Sequence, residues 1–183
     1  MTTKGAPARL ASLGEVFQIA FVPADFDAAL AYWTKIVGAG PFFLMEHIKT
    51  ENTKYRGAPT DIDFSAAIGY WNDLQIELII QHNDAPSIFS EWRAAEREGL
   101  HHVCMLVPSI IDARDASAAV GATIAQEMEA GGGQSQIIYV DTGGGPGTMI
   151  EMVQTNAERR NTFFAPMREA ARGWDGRDPL RRL

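Results

Sequence analysis

The chain has 183 residues and a formal net charge of −7, with 46% hydrophobic and 21% charged residues. This length and composition suit one or two globular domains and exclude a disordered or fibrous chain. No apolar run approaches the ~20 residues of a membrane-spanning helix, and the N-terminus lacks the apolar core of a signal peptide. A single cysteine, Cys104, excludes an intrachain disulfide. We therefore expect a cytoplasmic protein with no membrane partner.

Positive charge is concentrated at the C-terminal end. Residues 159–183 hold seven arginines and three acidic residues, a net +4, which leaves −11 for residues 1–158. A body this acidic repels nucleic acid, which we exclude as a partner. The arginine-rich tail could contact phosphate or carboxylate groups or a second subunit, or it could be a solvated terminus.

The first half of the chain predicts one helix among four strands. A short apolar run at 16–22 predicts a strand, and from Asp25 onward apolar residues recur at the spacing of a helix. Three further strands are predicted at 42–48, 63–71 and 74–81, with a polar loop at 50–60. The order is β-α-β-β-β.

The second half predicts the same order. A helix after Pro86 connects the two halves. It is followed by a strand at 102–107, a helix at about 110–120, and strands at about 123–129, 135–141 and 148–154. A last helix is predicted over 157–172, with a kink or restart at Pro166.

Short matches between the halves indicate an internal duplication. In both copies an apolar run ends in Val-Pro, and Asp-Ala follows four residues later, at Pro23 and Asp27 and again at Pro108 and Asp112. The duplication divides the chain into five parts. These are an N-terminal arm (1–14), a first βαβββ module (15–82), a connecting helix (83–100), a second module (101–154) and a helical tail (155–183).

Four polar residues occupy equivalent positions in the two copies. Gln18 and His102 lie near the start of the first strand, and Glu77 and Glu151 lie in the last strand, within IELII and IEMVQ. Each glutamate shares its strand face with apolar residues. An ionised carboxylate on an apolar face is unfavourable unless it is paired or binds a metal. A single strand glutamate is ordinarily solvent-facing, but the repeated pair favours a buried metal site.

These segments and their order resemble the vicinal oxygen chelate superfamily of glyoxalases, epimerases, extradiol dioxygenases and bleomycin-resistance proteins, over residues 15–154. The resemblance implies an α+β fold in which two paired βαβββ modules form a curved, eight-stranded half-open barrel, here with a C-terminal helical extension. It implies metal ligation by Gln18, Glu77, His102 and Glu151, and a homodimer. GLHHVCMLV and GTMIEMVQ look most like methylmalonyl-CoA epimerases, whereas the ligand order Gln-Glu-His-Glu is similar to zinc glyoxalase I.

The chemistry of this ligand set restricts the reaction. One imidazole, one amide oxygen and two carboxylates suit one divalent ion, Zn, Co, Ni, Mn or Mg. A ring-cleaving dioxygenase is disfavoured, because non-haem iron chemistry usually needs two histidines with one carboxylate. We expect a metal-dependent isomerase, epimerase or lyase that removes a proton α to a carbonyl or thioester and stabilises the enediolate on the metal. The glyoxalase resemblance favours Glu151 as the base, with Glu77 opposite. The alternative is a non-catalytic protein that binds small molecules.

Overall fold

The computed structural model describes residues 9–183, so the first eight residues of the predicted N-terminal arm lie outside the described residues. The fold is mixed α and β, with four α-helices around one large sheet. The helices are α1 (Phe26–Ala31), which continues into a π-helical turn (Tyr32–Val37), α2 (Ile88–Ala94), α3 (Ile110–Ala119) and α4 (Ala157–Ala171). A single 3₁₀ turn, Leu10–Ser12, precedes the sheet.

Eleven strands form the sheet. In the first half they are β1 (Val16–Phe21), β2 (Phe42–Met45), β3 (Thr50–Tyr55), β4 (Ala58–Pro59), β5 (Phe64–Trp71) and β6 (Leu74–Gln81). In the second half they are β7 (Leu100–Leu106), β8 (Thr123–Ala130), β9 (Ser135–Asp141), β10 (Met149–Thr155) and β11 (Leu180–Arg182).

The strand order shows the duplication directly. It runs β11-β2-β5-β6-β1-β7-β10-β9-β8-β3-β4 in a curved sheet that does not close. In each half the first strand pairs in parallel with the last, β1 with β6 and β7 with β10, and the two first strands pair antiparallel at the centre. The fold class predicted from the sequence, with its C-terminal helical extension, is confirmed.

Three short strands extend the predicted eight. The segment 50–60, predicted as a loop, is a β-hairpin in which β3 pairs with β8, and β11 pairs with β2 at the opposite edge. Half of the residues of β3 are exposed, and one of them, Lys54, forms an ion pair with Glu127 of β8 at 3.0 Å. An edge strand of this kind has no apolar alternation, so its sequence is indistinguishable from that of a polar loop.

Helix positions follow local capping signals. The Asp25 carboxylate accepts a hydrogen bond from the Ala28 amide, and Ser109 accepts one from the Asp112 amide, so α1 and α3 begin as predicted. Helices α1 and α3 each pack on their own half of the sheet, on the same face, called here the outer face. Trp33, after α1, packs with Phe42 and Leu78, and Ile110 packs in the equivalent cluster of the second half.

The tail packs back onto the first half of the sheet. Met167 of α4 is 2% exposed and lies with Ile68 and Tyr70 of β5, and Phe164 packs against the same cluster. Pro166 lies inside the continuous helix α4, which it does not interrupt. Within residues 9–183, no helix is both long and apolar enough to cross a membrane.

The tail contact predicts a stability difference between two residues of α4. Met167→Ala removes a buried side chain and should lower the free energy of unfolding by about 2–5 kcal/mol. Phe163, which is 44% exposed, mainly stacks on Phe164, so Phe163→Ala should lower it by about 1 kcal/mol or less. Urea denaturation measures both values. Equal losses in the two variants would show that α4 is not held by its buried face.

Candidate metal centre

The pairing of the four central strands brings the predicted ligands onto one face of the sheet, called here the inner face. The register places Gln18 beside Cys104, and Cys104 beside Glu151. In the next row Ala20 lies between Glu77 and His102. Residues that pair in register point to the same side, so these side chains converge although they come from both halves of the chain.

Three of the four predicted ligands form a compact group. One ligand atom from each of Glu77, His102 and Glu151 lies within 4.8 Å of the other two. His102 Nε2 is 3.2 Å from a Glu151 oxygen and 3.7 Å from a Glu77 oxygen. The His102 side chain is fully buried, and those of Glu77 and Glu151 are 14% and 9% exposed.

Gln18, the fourth predicted ligand, is held by its neighbour Gln75. Its amide nitrogen donates a hydrogen bond to Gln75 Oε1 at 2.6 Å, and the Gln75 amide nitrogen donates to the Tyr70 hydroxyl at 2.7 Å. Both glutamines are buried. This chain fixes the Gln18 amide with its nitrogen towards Gln75, so its carbonyl oxygen is the end that remains for a cation.

A bulge in β7 directs His101 towards His102. Ala20 pairs with His102 and Phe21 pairs with Leu100, so His101 has no partner on β1. In a regular strand, His101 would point to the face opposite to His102. The bulge instead lets the two imidazoles meet, with their Nδ1 atoms 2.8 Å apart.

The His101 contacts determine which nitrogen of His102 carries a proton. His101 Nε2 lies 3.3 Å from the Ile88 carbonyl, which can only accept. Burial, and then the neighbouring His102, lower the pKa of His101 to about 3, so its ring is neutral and Nδ1 is an acceptor. His102 Nδ1–H therefore donates to His101. Nε2 of His102 is then the ring nitrogen that faces the two glutamates.

That nitrogen is the clearest sign of a cation site. Within the described residues His102 Nε2 is fully buried and makes no hydrogen bond. A buried ring nitrogen that makes no hydrogen bond is unfavourable. A divalent ion between the three groups would satisfy all of them at once, so the residues fit a metal.

The two glutamates have opposite electrostatic environments. Burial, and then the negative charge of Glu151, raise the pKa of Glu77 well above its usual value. Burial also acts to raise the pKa of Glu151, but His102 and hydrogen bonds from Cys104 and Tyr139 outweigh it, so the pKa of Glu151 is lowered. Without a metal, Glu77 therefore binds a proton more readily than an isolated glutamate does, and Glu151 less readily.

Cys104 and Tyr139 support the charged glutamate. Burial is the main cause that raises the pKa of the Cys104 thiol and of the Tyr139 hydroxyl, so both keep their protons and can donate to Glu151. Gln75 was missed in the sequence, although its position two residues before Glu77 on the same strand face was a usable signal.

Comparison with known proteins agrees with this architecture. The sequence model of the Glyoxalase/Bleomycin resistance protein/Dioxygenase superfamily matches residues 17–139, more than half of the chain. The chain belongs to this superfamily. No curated protein matches the sequence.

Several solved structures share the fold at low sequence identity. A hypothetical protein from Bacillus halodurans C-125 has a TM-score of 0.55 at 15% identity, over 78% of this chain and 95% of its own. Methylmalonyl-CoA epimerase from Mycobacterium tuberculosis has a TM-score of 0.54 at 15% identity, over 81% and 93%. A methylmalonyl-CoA epimerase in complex with methylmalonyl-CoA and NH4+ has a TM-score of 0.53 at 19% identity, over 79% and 96%.

The raised pKa of Glu77 predicts a pH-dependent stability in chelator-treated protein. The folded state keeps this proton at pH values where the unfolded chain has lost it, so stability falls as pH rises from about 4.5 through the folded pKa. The slope is at most about 1.4 kcal/mol per pH unit for one proton. Glu77→Gln cannot ionise and should lose this dependence.

Urea denaturation at pH 5, 6.5 and 8 measures the effect. The matched control is Glu51→Gln, which changes an exposed strand glutamate and should follow the unaltered chain at each pH. If Glu77→Gln also runs parallel to the unaltered chain, Glu77 does not carry a buried proton.

Proposed function

We propose that the protein is a metal-dependent isomerase, epimerase or lyase that removes a proton α to a carbonyl or thioester. The observation that carries this proposal is the buried, unpartnered His102 Nε2 facing Glu77 and Glu151. A binding protein without a metal would leave this nitrogen without a hydrogen bond, whereas a Lewis-acid centre would use it together with both carboxylates.

The proposed ligands are Gln18, Glu77, His102 and Glu151. Their net charge of −2 is neutralised by one divalent ion of the Zn, Co, Ni, Mn or Mg type, which removes the unfavourable burial of two carboxylates. When bound, this ion would polarise a substrate carbonyl and offset the negative charge that develops on its oxygen. The protein's own residues would supply the proton transfers.

The surroundings of the two glutamates suggest distinct roles. Hydrogen bonds from Cys104 and Tyr139 hold Glu151 in place, so it is positioned to accept the α-proton. Glu77 lies across His102 from Glu151. From there it can return a proton on the opposite side of one carbon. We propose Glu151 as the base and Glu77 as its partner.

The shape of the site limits how a substrate reaches it. His102 is fully buried, so the substrate would approach from the side of the glutamates, whose side chains keep slight exposure. The Tyr70–Gln75–Gln18 chain and the buried Met167 of α4 close the side next to β5. This enclosure would keep water from the developing charge.

The substrate class follows from the chemistry and from one likeness. A proton α to a carbonyl or thioester is the group that the two glutamates can exchange, and one structure of similar fold is an epimerase complex with methylmalonyl-CoA. CoA thioesters and glutathione hemithioacetals are therefore the first compounds to test. The homodimer and the cytoplasmic location stay predictions.

Deuterium exchange tests the proposed reaction. Chelator-treated protein reloaded with a divalent ion should hold at least one ion per chain and introduce deuterium at the α-carbon of a candidate compound in D2O. Glu151→Gln should slow this exchange by about 10²- to 10⁴-fold, the usual contribution of a general base. Mass spectrometry follows the exchange, and elemental analysis follows the metal in the same samples.

Two comparisons separate the possible outcomes. Glu51→Gln, away from the centre, should exchange at the rate of the unaltered chain, whereas Glu77→Gln should retain less metal. Far less than one ion per chain after reloading, together with no exchange of any compound, would contradict the proposed enzyme. It would favour the alternative, a protein that binds small molecules without catalysis.

The His101 contact predicts an effect on metal affinity from a residue that does not touch the metal. His101→Phe keeps the ring packing against Trp92 and Phe89 but removes the acceptor for His102 Nδ1–H. The metal affinity should fall about 10- to 100-fold, as for other partners of ligand histidines. His101→Gln restores an acceptor and should recover part of the loss.

Titration of chelator-treated protein with Mn2+, followed by electron paramagnetic resonance of the free ion, measures this affinity. Circular dichroism checks that both variants are folded. Mn2+ binding by the phenylalanine variant as tight as in the unaltered chain would contradict the assigned tautomer of His102.

A further inference from the structure

A second group of metal-ligating side chains lies outside the centre. His47 follows β2, Asp63 precedes β5 and His82 follows β6, and these three residues are called here the rim cluster. One ligand atom from each side chain lies within 4.8 Å of the other two. His82 is five residues from Glu77 along β6, which is about 16 Å in an extended strand. The rim cluster is therefore separate from the centre.

We infer that the rim cluster is a second binding site, for a divalent first-row transition ion such as Zn2+. Two imidazoles and one carboxylate are ligands that zinc prefers, and three protein ligands leave a position open for water. His47 and His82 are exposed and Asp63 is half-buried, so an ion can enter from solvent without any rearrangement of the core.

Hydrogen bonds between strand ends hold the three residues in place. The His82 amide donates to the Asp63 carbonyl at 2.7 Å, which continues the β5–β6 pairing by one step. The His47 amide donates to the buried hydroxyl of Ser65 at 3.0 Å. Because all three backbones are tied to the sheet, the ligands are assembled before any ion arrives, which reduces the loss of entropy on binding.

The side chains already make the supporting contacts that ligand histidines usually have. The Ser65 hydroxyl lies 2.7 Å from His82 Nε2 and can accept its proton, which leaves His82 Nδ1 as the ligand nitrogen. The two imidazole centroids are 4.7 Å apart, and His47 Nδ1 is 2.7 Å from an Asp63 oxygen. A metal ion would replace the proton that His47 and Asp63 now share.

Neighbouring charges leave Asp63 available to a cation. Glu46, next to His47, pairs with Arg182 of β11. Within the described residues, the hydrogen bonds that the Asp63 carboxylate accepts from side chains come from His47 alone. The site therefore offers one carboxylate and two imidazoles as ligands, which suits a borderline ion such as Zn2+ better than Mg2+ or Ca2+.

Zinc stoichiometry of tag-free protein tests the rim cluster independently of the centre. The double variant Glu77→Gln/Glu151→Gln disables the centre, and His82→Ala disables the rim cluster at an exposed residue. After equilibration with Zn2+ and dialysis, we expect two ions in the unaltered chain, one in either variant and none in the triple variant. Elemental analysis gives the counts, and Asp84→Asn is the control for loss of a nearby exposed charge.

The affinity and stability provide a second readout. In the double variant, calorimetric titration should show Zn2+ binding that His82→Ala weakens at least tenfold and Asp84→Asn leaves unchanged. Zn2+ should also raise the melting temperature of the double variant, and not that of the triple variant. A double variant that binds no zinc, or binds it equally well after His82→Ala, overturns the inference. If the rim cluster binds zinc but the centre does not, the double variant and the unaltered chain will hold the same single ion.

Discussion

The structure depends on the burial of two carboxylates beside a histidine ring nitrogen on one face of a sheet. Removing Glu77 and Glu151 from water is unfavourable, and their mutual repulsion adds to it, so the inner face is stable only if a proton or a cation lies between them. The neighbouring side chains hold these groups in place. Cys104 and Tyr139 donate hydrogen bonds to Glu151. Gln75 binds the Gln18 amide, and the neutral His101 ring contacts His102. The surrounding apolar packing strengthens each of these interactions, because the local dielectric constant is low.

The antiparallel pairing of β1 with β7 makes this arrangement possible. The two strands are 84 residues apart in the chain, counted from Gln18 to His102, yet they are neighbours at the centre of the sheet. Each then takes its own module's last strand in parallel on its other side, so Glu77 and Glu151 flank the central pair symmetrically. The symmetry stops at the side chains: Gln18 forms an amide chain, whereas His102 meets a second histidine across a bulge. One duplicated backbone thus gives two chemically different halves.

The sequence predicted the strands, helices and duplication because these depend on periodicity and on local signals such as Asp25. The duplication put Gln18, Glu77, His102 and Glu151 at equivalent positions, and the resemblance to the superfamily implied that these four would lie together. The sequence could not predict the role of His101, because a bulge is a property of the pairing between strands and leaves no mark in local periodicity. It missed the β3–β4 hairpin for a related reason, since a polar edge strand is specified by the strand that it joins. The rim cluster depends on three loop ends whose approach is set by β2, β5 and β6 together.

The two ends of the sheet have a consequence for self-association. An exposed strand edge is a template on which another chain can add strands, and long flat edges lead to aggregation. In the described part of this chain, the edges are a two-residue strand that ends in Pro59 and a three-residue strand that carries Arg181 and Arg182. Proline lacks the amide that a new strand would need, and arginines repel a second copy of themselves. The edge strands β4 and β11, which lengthen the sheet, therefore also prevent further strands from being added to it. This protects the protein against growth into fibrils.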